Sequence, residues 1–104
     1  MLPTRDGEAR KLGVVVSRDA INRSRLDVIV ARLTRQDRYR AIPSAVIVEP
    51  EEQTGLSVAS FVLCHDLHTL PQSRLDPRPI GTLPLGKLLE VERRLGYVFD
   101  LLRD

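Results

Sequence analysis

The chain alternates between short β-branched apolar runs and polar turns. Such runs, bounded by turn residues, predict buried strands, and they lie at residues 13–17, 27–33, 45–48 and 56–64. The last run is apolar on both faces in its second half, so we expect a central strand there. The polar segment 49–55 predicts the turn before it.

Several shorter elements complete this pattern. Asp19 predicts the cap of a helical turn that reaches Asn22. Residues 65–70 continue the fourth strand or follow it after a bend, and residues 71–75 predict a short turn. Residues 77–82 are at most a short edge strand, because prolines interrupt them.

A helix is predicted at the C-terminus, with Pro84 as its first residue and an end near residue 102. Its apolar stripe repeats at spacings of three and four and is either core or dimer contact. Gly96 inside it costs about 1 kcal/mol against alanine, so packing on the sheet must hold the helix. The elements together predict a mainly β (α+β) fold: a small, mostly antiparallel β-barrel closed by a C-terminal helix.

Length and composition narrow the class of protein. With 104 residues the chain is expected to form a single domain spanning residues 1–104. The single cysteine, Cys64, cannot form an internal disulfide and is interpreted as a small buried apolar residue. No signal peptide is apparent, and no stretch approaches the ~18 apolar residues of a membrane helix. We therefore expect a cytoplasmic protein with no membrane partner.

Charge is distributed unevenly along the chain. Residues 12–40 contain seven arginines and three acids, whereas residues 41–83 contain two arginines and five acids. A basic front half is consistent with a polyanion-binding face. Lysine is rare in the chain, however, so the arginines equally fit a genome of biased base composition.

The loop after residue 33 carries the most informative chemistry. Thr34 ends an apolar strand, and Arg35, Arg38, Tyr39 and Arg40 follow within six residues. Guanidinium groups bind phosphate through a planar fork, and a tyrosine ring can stack on an unpaired base. This combination suggests single-stranded RNA, although a threonine can also form the turn and the tyrosine can cover the barrel mouth.

Four segments, in order and spacing, resemble the MazF/PemK family, the toxin half of bacterial type II toxin–antitoxin pairs. They are residues 14–19, residues 28–34, residues 63–70 with Arg74-Leu75, and residues 80–84 leading into residues 90–92. The resemblance extends from about residue 3 to residue 102. It implies an SH3-like antiparallel β-barrel of the CcdB/PemK type.

The resemblance also implies an activity. It implies a homodimeric endoribonuclease without metal or other cofactor, which cleaves single-stranded RNA (mRNA) at short sequences. The products would carry a 2′,3′-cyclic phosphate and a 5′-hydroxyl, and a cognate antitoxin would block the RNA groove with a disordered tail. Two alternatives remain open: a non-catalytic RNA-binding family member, and a gyrase poison of the CcdB type.

Candidate site residues follow from both lines of reasoning. By resemblance Thr34 matches the catalytic threonine, and Lys11 falls where the family has a catalytic arginine, unless a one-residue slip brings Arg10 there. Lys11 could equally be a solvated residue before a strand. The RNA-binding candidates are Glu8, Arg10, Ser17, Arg35, Arg38, Tyr39, Arg40, His65, Asp66 and His68.

Some of these candidates have a specific expected role. Asp66 takes the place of a family glutamine beside the RNA. His65 and His68 could act as general acid or base near neutral pH, or be satisfied structurally, and alone they make a poor metal site. The family's first strand is expected to be nearly missing here, with residues 3–11 forming the loop after it.

Overall fold

The structure is a computed structural model that describes residues 2–6, 9–24 and 26–101, with side chains described from Lys11 onward. The strands within these residues are β1 (Leu2–Asp6), β2 (Ala9–Val15), β3 (Asp27–Thr34), β4 (Ala45–Val48) and β5 (Ser60–Pro71). The α-helices are α1 (Asp19–Asn22) and α2 (Leu85–Val98), and two 3₁₀ turns span Asp37–Tyr39 and Gln72–Arg74.

The described strands form one antiparallel sheet in the order β1-β2-β3-β5-β4. The first part of β5 therefore lies between β3 and β4, which confirms that the run ending at Cys64 is central. Its side chains from Phe61 to Cys64 are all buried, because the sheet is covered there on both faces. The predicted mainly β fold with a C-terminal helix is confirmed.

The hairpin of β1 and β2 differs from the prediction. Residues 3–11 were expected to form a loop, and this is wrong: Leu2–Asp6 pairs with Ala9–Gly13, and Thr4 lies opposite Lys11. The segment is polar and lacks a β-branched apolar run. Backbone pairing with β2 defines the strand, and an apolar pattern could not reveal it.

The helix ends also differ from the prediction. The short helix α1 has the predicted span, but Arg18 occupies its N-cap position without a side-chain hydrogen bond, so a cap at Asp19 is wrong. Pro84 likewise occupies the N-cap position of α2, which ends at Val98 rather than near residue 102. Residues 77–82, all of them described, are not in a strand.

The hydrophobic core lies between the sheet and α2. Val91 is the α2 residue that inserts into it, and the Cys64 thiol lies 3.9 Å from the Val91 carbonyl oxygen. Each fully buried aliphatic side chain contributes about 1.5–3 kcal/mol, which outweighs the cost of Gly96 within the helix. The buried cluster comprises Val14, Ala31, Leu33, Val46, Val48, Val62, Cys64 and Val91.

A membrane-spanning helix must be long enough to cross the bilayer and apolar along its length. Within the described residues, no helix is both long enough and apolar enough to cross a membrane.

Candidate functional site

A cavity opens where the pairing of β2 with β3 ends. The two strands pair from Val15–Val30 to Gly13–Arg32. Two residues further along the same register, Lys11 would lie opposite Thr34. Before Gly13, however, the pairing recorded for β2 among the described residues is with β1 alone. The resulting cavity has a volume of about 590 Å³. Its lining residues are Lys11, Leu12, Arg32, Leu33, Thr34, Arg35, Gln36, Gly55, Leu56, Ser57, Val58, Ser60 and Ile80.

At Gly13 the space between β2 and β3 leaves no room for a side chain. A Cβ atom added there would meet Val30 Cγ1, and the carbonyl oxygen of Ala31 would lie 3.2 Å away. Val30 is buried and β-branched, so it cannot easily move aside. A glycine is therefore needed for β2 to approach β3 and to hold Lys11 at the cavity.

The cavity is positively charged. Lys11, Arg32 and Arg35 line it, and none of the described residues in its lining is acidic. Concentrated cations without a lining carboxylate favour an anionic ligand. Arginine in particular matches phosphate, because its planar fork can form two parallel hydrogen bonds.

Thr34 supplies a hydroxyl group at the wall of this cavity. Its side chain is only 7% exposed, and Oγ1 accepts a hydrogen bond of 3.3 Å from the backbone N–H of Gln36. A hydroxyl has one proton to donate in addition to its acceptor positions. Because Gln36 uses an acceptor position, that contact orients the group without consuming its proton. Thr34 thus forms the turn and still has a donor for a ligand.

The loop between β4 and β5 forms the opposite wall. Thr54 is fully buried, and its Oγ1 accepts from the backbone N–H groups of Glu51 (3.2 Å) and Leu56 (3.3 Å). Gly55 next to it has φ of +70°, in the left-handed region, and it packs against the carbonyl of Ile80. These contacts fix the loop, so this wall of the cavity is preformed.

The arginines of the loop after Thr34 do not converge. Arg35 lines the cavity, whereas Arg38 stacks on the Tyr39 ring, with 5.0 Å to the centroid, and donates to its hydroxyl at 3.2 Å. Arg40 is ion-paired with Asp37 at 2.7 Å and covers the ring of Phe61. The 3₁₀ turn at residues 37–39 separates them.

A second polar group lies beside β5. His65 Nδ1 is 2.5 Å from Ser44 Oγ, and its ring is 6.3 Å from that of Tyr39 at an interplanar angle of 35°. None of these three residues lines the cavity. Of the RNA-binding candidates in and after the Thr34 loop, Arg35 lines the cavity, whereas Tyr39 and His65 lie together outside it.

Arg32 is a cavity residue that the sequence analysis did not single out. Its Nη1 is 3.5 Å from Asp66 Oδ2, and Asp66 Oδ1 is 2.7 Å from His68 Nε2. A charged residue inside the otherwise apolar strand 28–33 was an available signal. Residues 64–66 are extra in β5, since Arg32 pairs with Leu63 while Ala31 pairs with Leu67.

The remaining candidates lie elsewhere. Ser17 Oγ donates to Asn22 Oδ1 at 2.5 Å and accepts from the Ile29 N–H at 3.1 Å, at the far end of β3 from Thr34. Glu8 and the side chain of Arg10 lie outside the described residues. In the described part of the chain, no group of three or more His, Cys, Asp or Glu side chains could hold a metal ion.

Cys64 is buried, as predicted. Burial raises the pKa of its thiol from 9.0 to about 11, and the nearby Glu90 adds to this while Arg94 opposes it. Near neutral pH the group is a protonated thiol within the core, so it is a packing residue and a poor nucleophile.

The protein is therefore a small β protein with one antiparallel sheet. Its cavity at one end of β3 carries basic groups and a hydroxyl, which suit an anionic ligand. The sequence profile of the PemK-like, MazF-like toxins of type II toxin–antitoxin systems matches residues 2–99. The chain therefore belongs to this family, whose MazF toxins are endoribonucleases.

Solved structures agree with this assignment at the level of the fold. The Mycobacterium tuberculosis toxin MazF-mt6 has a TM-score of 0.81 at 24% identity, with 98% of each chain covered. A mycobacterial endoribonuclease in complex with its cognate antitoxin also has a TM-score of 0.81 at 24% identity, covering 99% of this chain and 93% of that one.

A more distant structure is similar as well. MazE–MazF from Deinococcus radiodurans has a TM-score of 0.73 at 21% identity, covering 94% of this chain and 88% of that one. No curated protein matches the chain in sequence.

Proposed function

We propose that this toxin is a sequence-selective, metal-independent endoribonuclease that cuts single-stranded RNA in the cavity between β2 and β3. The observation that carries the proposal is that Lys11 and Thr34 line one cavity together with Arg35, without a lining acid among the described residues. A cation and a hydroxyl donor at one place suit a phosphoryl group that gains negative charge during the reaction.

The proposed reaction is an internal transesterification of the RNA. The 2′-oxygen attacks the adjacent phosphorus, the bond from phosphorus to the 5′-oxygen breaks, and a 2′,3′-cyclic phosphate forms. The 2′-hydroxyl proton passes to solvent water, and the departing 5′-oxygen takes up a proton to become a 5′-hydroxyl. The net number of protons is unchanged.

Lys11 and Thr34 have separate roles in this reaction. The Lys11 ammonium stabilises charge on the non-bridging oxygens and can deliver the proton to the 5′-oxygen, which an arginine can hardly do. Thr34 donates its hydroxyl proton to a non-bridging oxygen. Its orientation is supported by the contact with the Gln36 N–H. Loss of one such preorganised partner typically costs about 2.7–4 kcal/mol.

The group beside β5 is proposed to contact the RNA bases. The tilted rings of Tyr39 and His65 offer flat surfaces at the border of the sheet, and Arg38 adds a cation to them. Stacking of one base on an aromatic side chain is worth about 1–3 kcal/mol. These contacts would contribute to the choice of cleavage sequence.

Assembly is proposed by analogy with the family. We infer a single domain over residues 1–104 that acts in the cytoplasm as a homodimer and is neutralised by a cognate antitoxin. Apolar side chains on α2 and just after it are exposed, with Leu85 at 70% and Leu101 at 73%, which supports a covering partner. Sedimentation of the isolated toxin, and then of the toxin with its antitoxin, measures both associations.

The experiment that tests the activity uses purified toxin without antitoxin. Labelled single-stranded RNA is incubated in EDTA, and the ends of the fragments are identified as cyclic phosphate and 5′-hydroxyl. Thr34→Ala is expected to abolish most of the cleavage. Thr69→Ala is the matched control, because Thr69 is exposed and pairs with Ile29, about 17 Å along β3 from Thr34.

Other outcomes would favour the alternatives. RNA that stays intact with wild-type toxin while salt-sensitive binding persists would indicate a non-catalytic RNA-binding protein. Toxicity that gyrase mutations relieve, and that Thr34→Ala does not change, would indicate a gyrase poison. Cleavage that requires an added metal ion would refute the metal-independent reaction.

A further inference from the structure

Three polar side chains form a line from the cavity toward the middle of β5. Arg32 Nη1 lies 3.5 Å from one carboxylate oxygen of Asp66, and the other oxygen lies 2.7 Å from His68 Nε2. Arg32 lines the cavity, whereas Asp66 and His68 lie outside it. The proposed reaction at Lys11 and Thr34 uses none of these three residues.

Arg32 is placed to accept a ligand. Its side chain is 42% exposed, and the ion pair engages one of its nitrogens at a long distance. A guanidinium has five N–H donors in a planar arrangement, so one carboxylate contact does not exhaust it. Asp66 is 29% exposed and has contacts on both oxygens, so it is the better-held member of the pair.

Spacing along β3 links Arg32 to the proposed reaction. Arg32 and Thr34 line the same cavity. They are two residues apart on one strand, so their Cα atoms are about 6.8 Å apart. This is comparable to the distance between neighbouring phosphates of a nucleotide chain. We propose that Arg32 binds a second phosphate, adjacent to the reacting one, and that Asp66 positions its guanidinium; this inference rests on the proposed ribonuclease function.

Asp66 lies beside Arg32 at an irregularity in β5, where one further step in the register of Ala31 and Leu67 would place the two residues opposite each other. Residues 64–66 are inserted between the pairs Arg32–Leu63 and Ala31–Leu67, so the regular alternation of side chains is broken there. Bulges of this kind re-aim side chains and are common next to active sites. Cys64 points into the core, and Asp66 emerges at the level of Arg32.

Binding of an RNA that cannot react tests the role of Arg32. The probe is a labelled single-stranded oligonucleotide with deoxyribose at the scissile position, titrated by fluorescence anisotropy at several salt concentrations. Arg32→Gln is expected to weaken binding about tenfold and to reduce the slope of log K against log salt by about 0.7, the value for one phosphate contact. Arg23→Gln, on the exposed end of α1, is the matched control and should change neither.

Asp66→Asn tests positioning separately. The variant keeps the charge of Arg32, so the salt slope should equal that of wild type, while kcat for RNA cleavage falls about tenfold and KM changes little. Asp66→Glu restores the carboxylate and should recover part of kcat. A merely structural role of Asp66 would lower the melting temperature without this division between kcat and KM.

Each outcome decides one point. If wild type cleaves RNA but Arg32→Gln keeps its affinity and salt slope, Arg32 binds no phosphate, and the proposed ribonuclease function is unaffected. If wild type cleaves nothing, that function fails, whereas the salt slope still reports on Arg32. If Arg32→Gln does not fold, Arg32→Lys is used instead. Weaker binding of the oligonucleotide with the salt slope of wild type supports the inference, whereas an unchanged affinity overturns it.

Discussion

Each end of β3 has a hydroxyl group that accepts a backbone N–H. At one end Ser17 accepts from Ile29, and at the other Thr34 accepts from Gln36. Ser17 also donates its proton to Asn22, whose amide donates back to the Ser17 carbonyl at 2.9 Å, so both groups are satisfied within the fold. Thr34 instead faces a cavity lined by cations. Among the described residues the Thr34 proton has no recorded acceptor, and this difference from Ser17 makes Thr34 the functional candidate of the two.

Arginines lie near both ends of β3, so their number alone does not show which end is the functional site. Arg18 and Arg23 are exposed beside α1, while Arg32 and Arg35 line the cavity. The difference lies in the backbone. At the Ser17 end β2 stays close to β3, with Val16 N–H bonded to the Ile29 carbonyl, whereas beyond Gly13 the pairing stops and a space opens.

Cleavage should show the largest difference between the two ends. Lys11→Met removes the ammonium from the cavity and is expected to lower kcat/KM for RNA by about 10²–10³-fold. Arg23→Met removes a cation from the other end and should change kcat/KM less than twofold. Equal losses in both variants, with unchanged melting temperatures, would mean that charge anywhere on this surface matters and that the cavity is not special.

Between the two ends of β3 lies the buried thiol of Cys64, which should make the stability of the protein depend on alkaline pH. Burial raises the pKa of the Cys64 thiol to about 11, so folding favours the protonated form. This contribution is complete below pH 9 and is lost as pH rises toward 11, which lowers the free energy of unfolding by about 2–3 kcal/mol.

Urea denaturation of wild type and of Cys64→Ala at pH 8, 9, 10 and 11 measures that loss. The two proteins differ only at residue 64, so the difference between their stabilities isolates the thiol. The stability of Cys64→Ala relative to wild type should rise across this range. A constant difference would show that the thiol is not held in its neutral form by the core.

Two of the four β-branched runs were predicted almost to the residue, whereas the runs predicted at 13–17 and 56–64 correspond to β2 (Ala9–Val15) and β5 (Ser60–Pro71), whose ends differ by several residues. Burial drives both the pattern and the structure at residues 45–48 and 27–34, so the two agree. The hairpin strand Leu2–Asp6 could not be predicted in this way, because its sequence is polar and pairing defines it. The family resemblance singled out Lys11 and Thr34, but only the register of β2 on β3 brings them to one cavity.

Two features of the candidate site could not be predicted from the alternation of apolar and polar residues along the strands. The contact of Arg32 with Asp66 lies where the extra residues 64–66 of β5 interrupt the pairing, and a three-residue offset cannot be read from a period of two. The separation of Arg35 from Arg38 requires the 3₁₀ turn at residues 37–39. Both are properties of backbone geometry rather than of residue type.

Gly13 controls how close the two strands come, so substitution there should damage the cavity end selectively. Gly13→Ala places a Cβ against Val30 Cγ1 and is expected to cost about 1–3 kcal/mol of stability and to reduce cleavage by moving Lys11. Gly86→Ala is the matched control. Gly86 is exposed on α2, nothing lies within 4 Å of a Cβ added there, and the variant should be more stable by about 0.5–1 kcal/mol. Recovery of both stability and cleavage in Gly13→Ala/Val30→Ala would show that the clash is the cause.

The smallest effect is expected at the Ser17 end. Ser17→Ala removes the hydrogen bonds to Asn22 and Ile29 and should lower the free energy of unfolding by about 1 kcal/mol, with kcat/KM unchanged. Asn22→Ala should cost a similar amount, and the double variant little more, because the two side chains act together. Chemical denaturation and the cleavage assay measure the two quantities. The opposite outcome would be a folded Ser17→Ala variant that loses cleavage as Thr34→Ala does. Both ends of β3 would then contact RNA, and the Ser17 hydroxyl would be functional rather than structural.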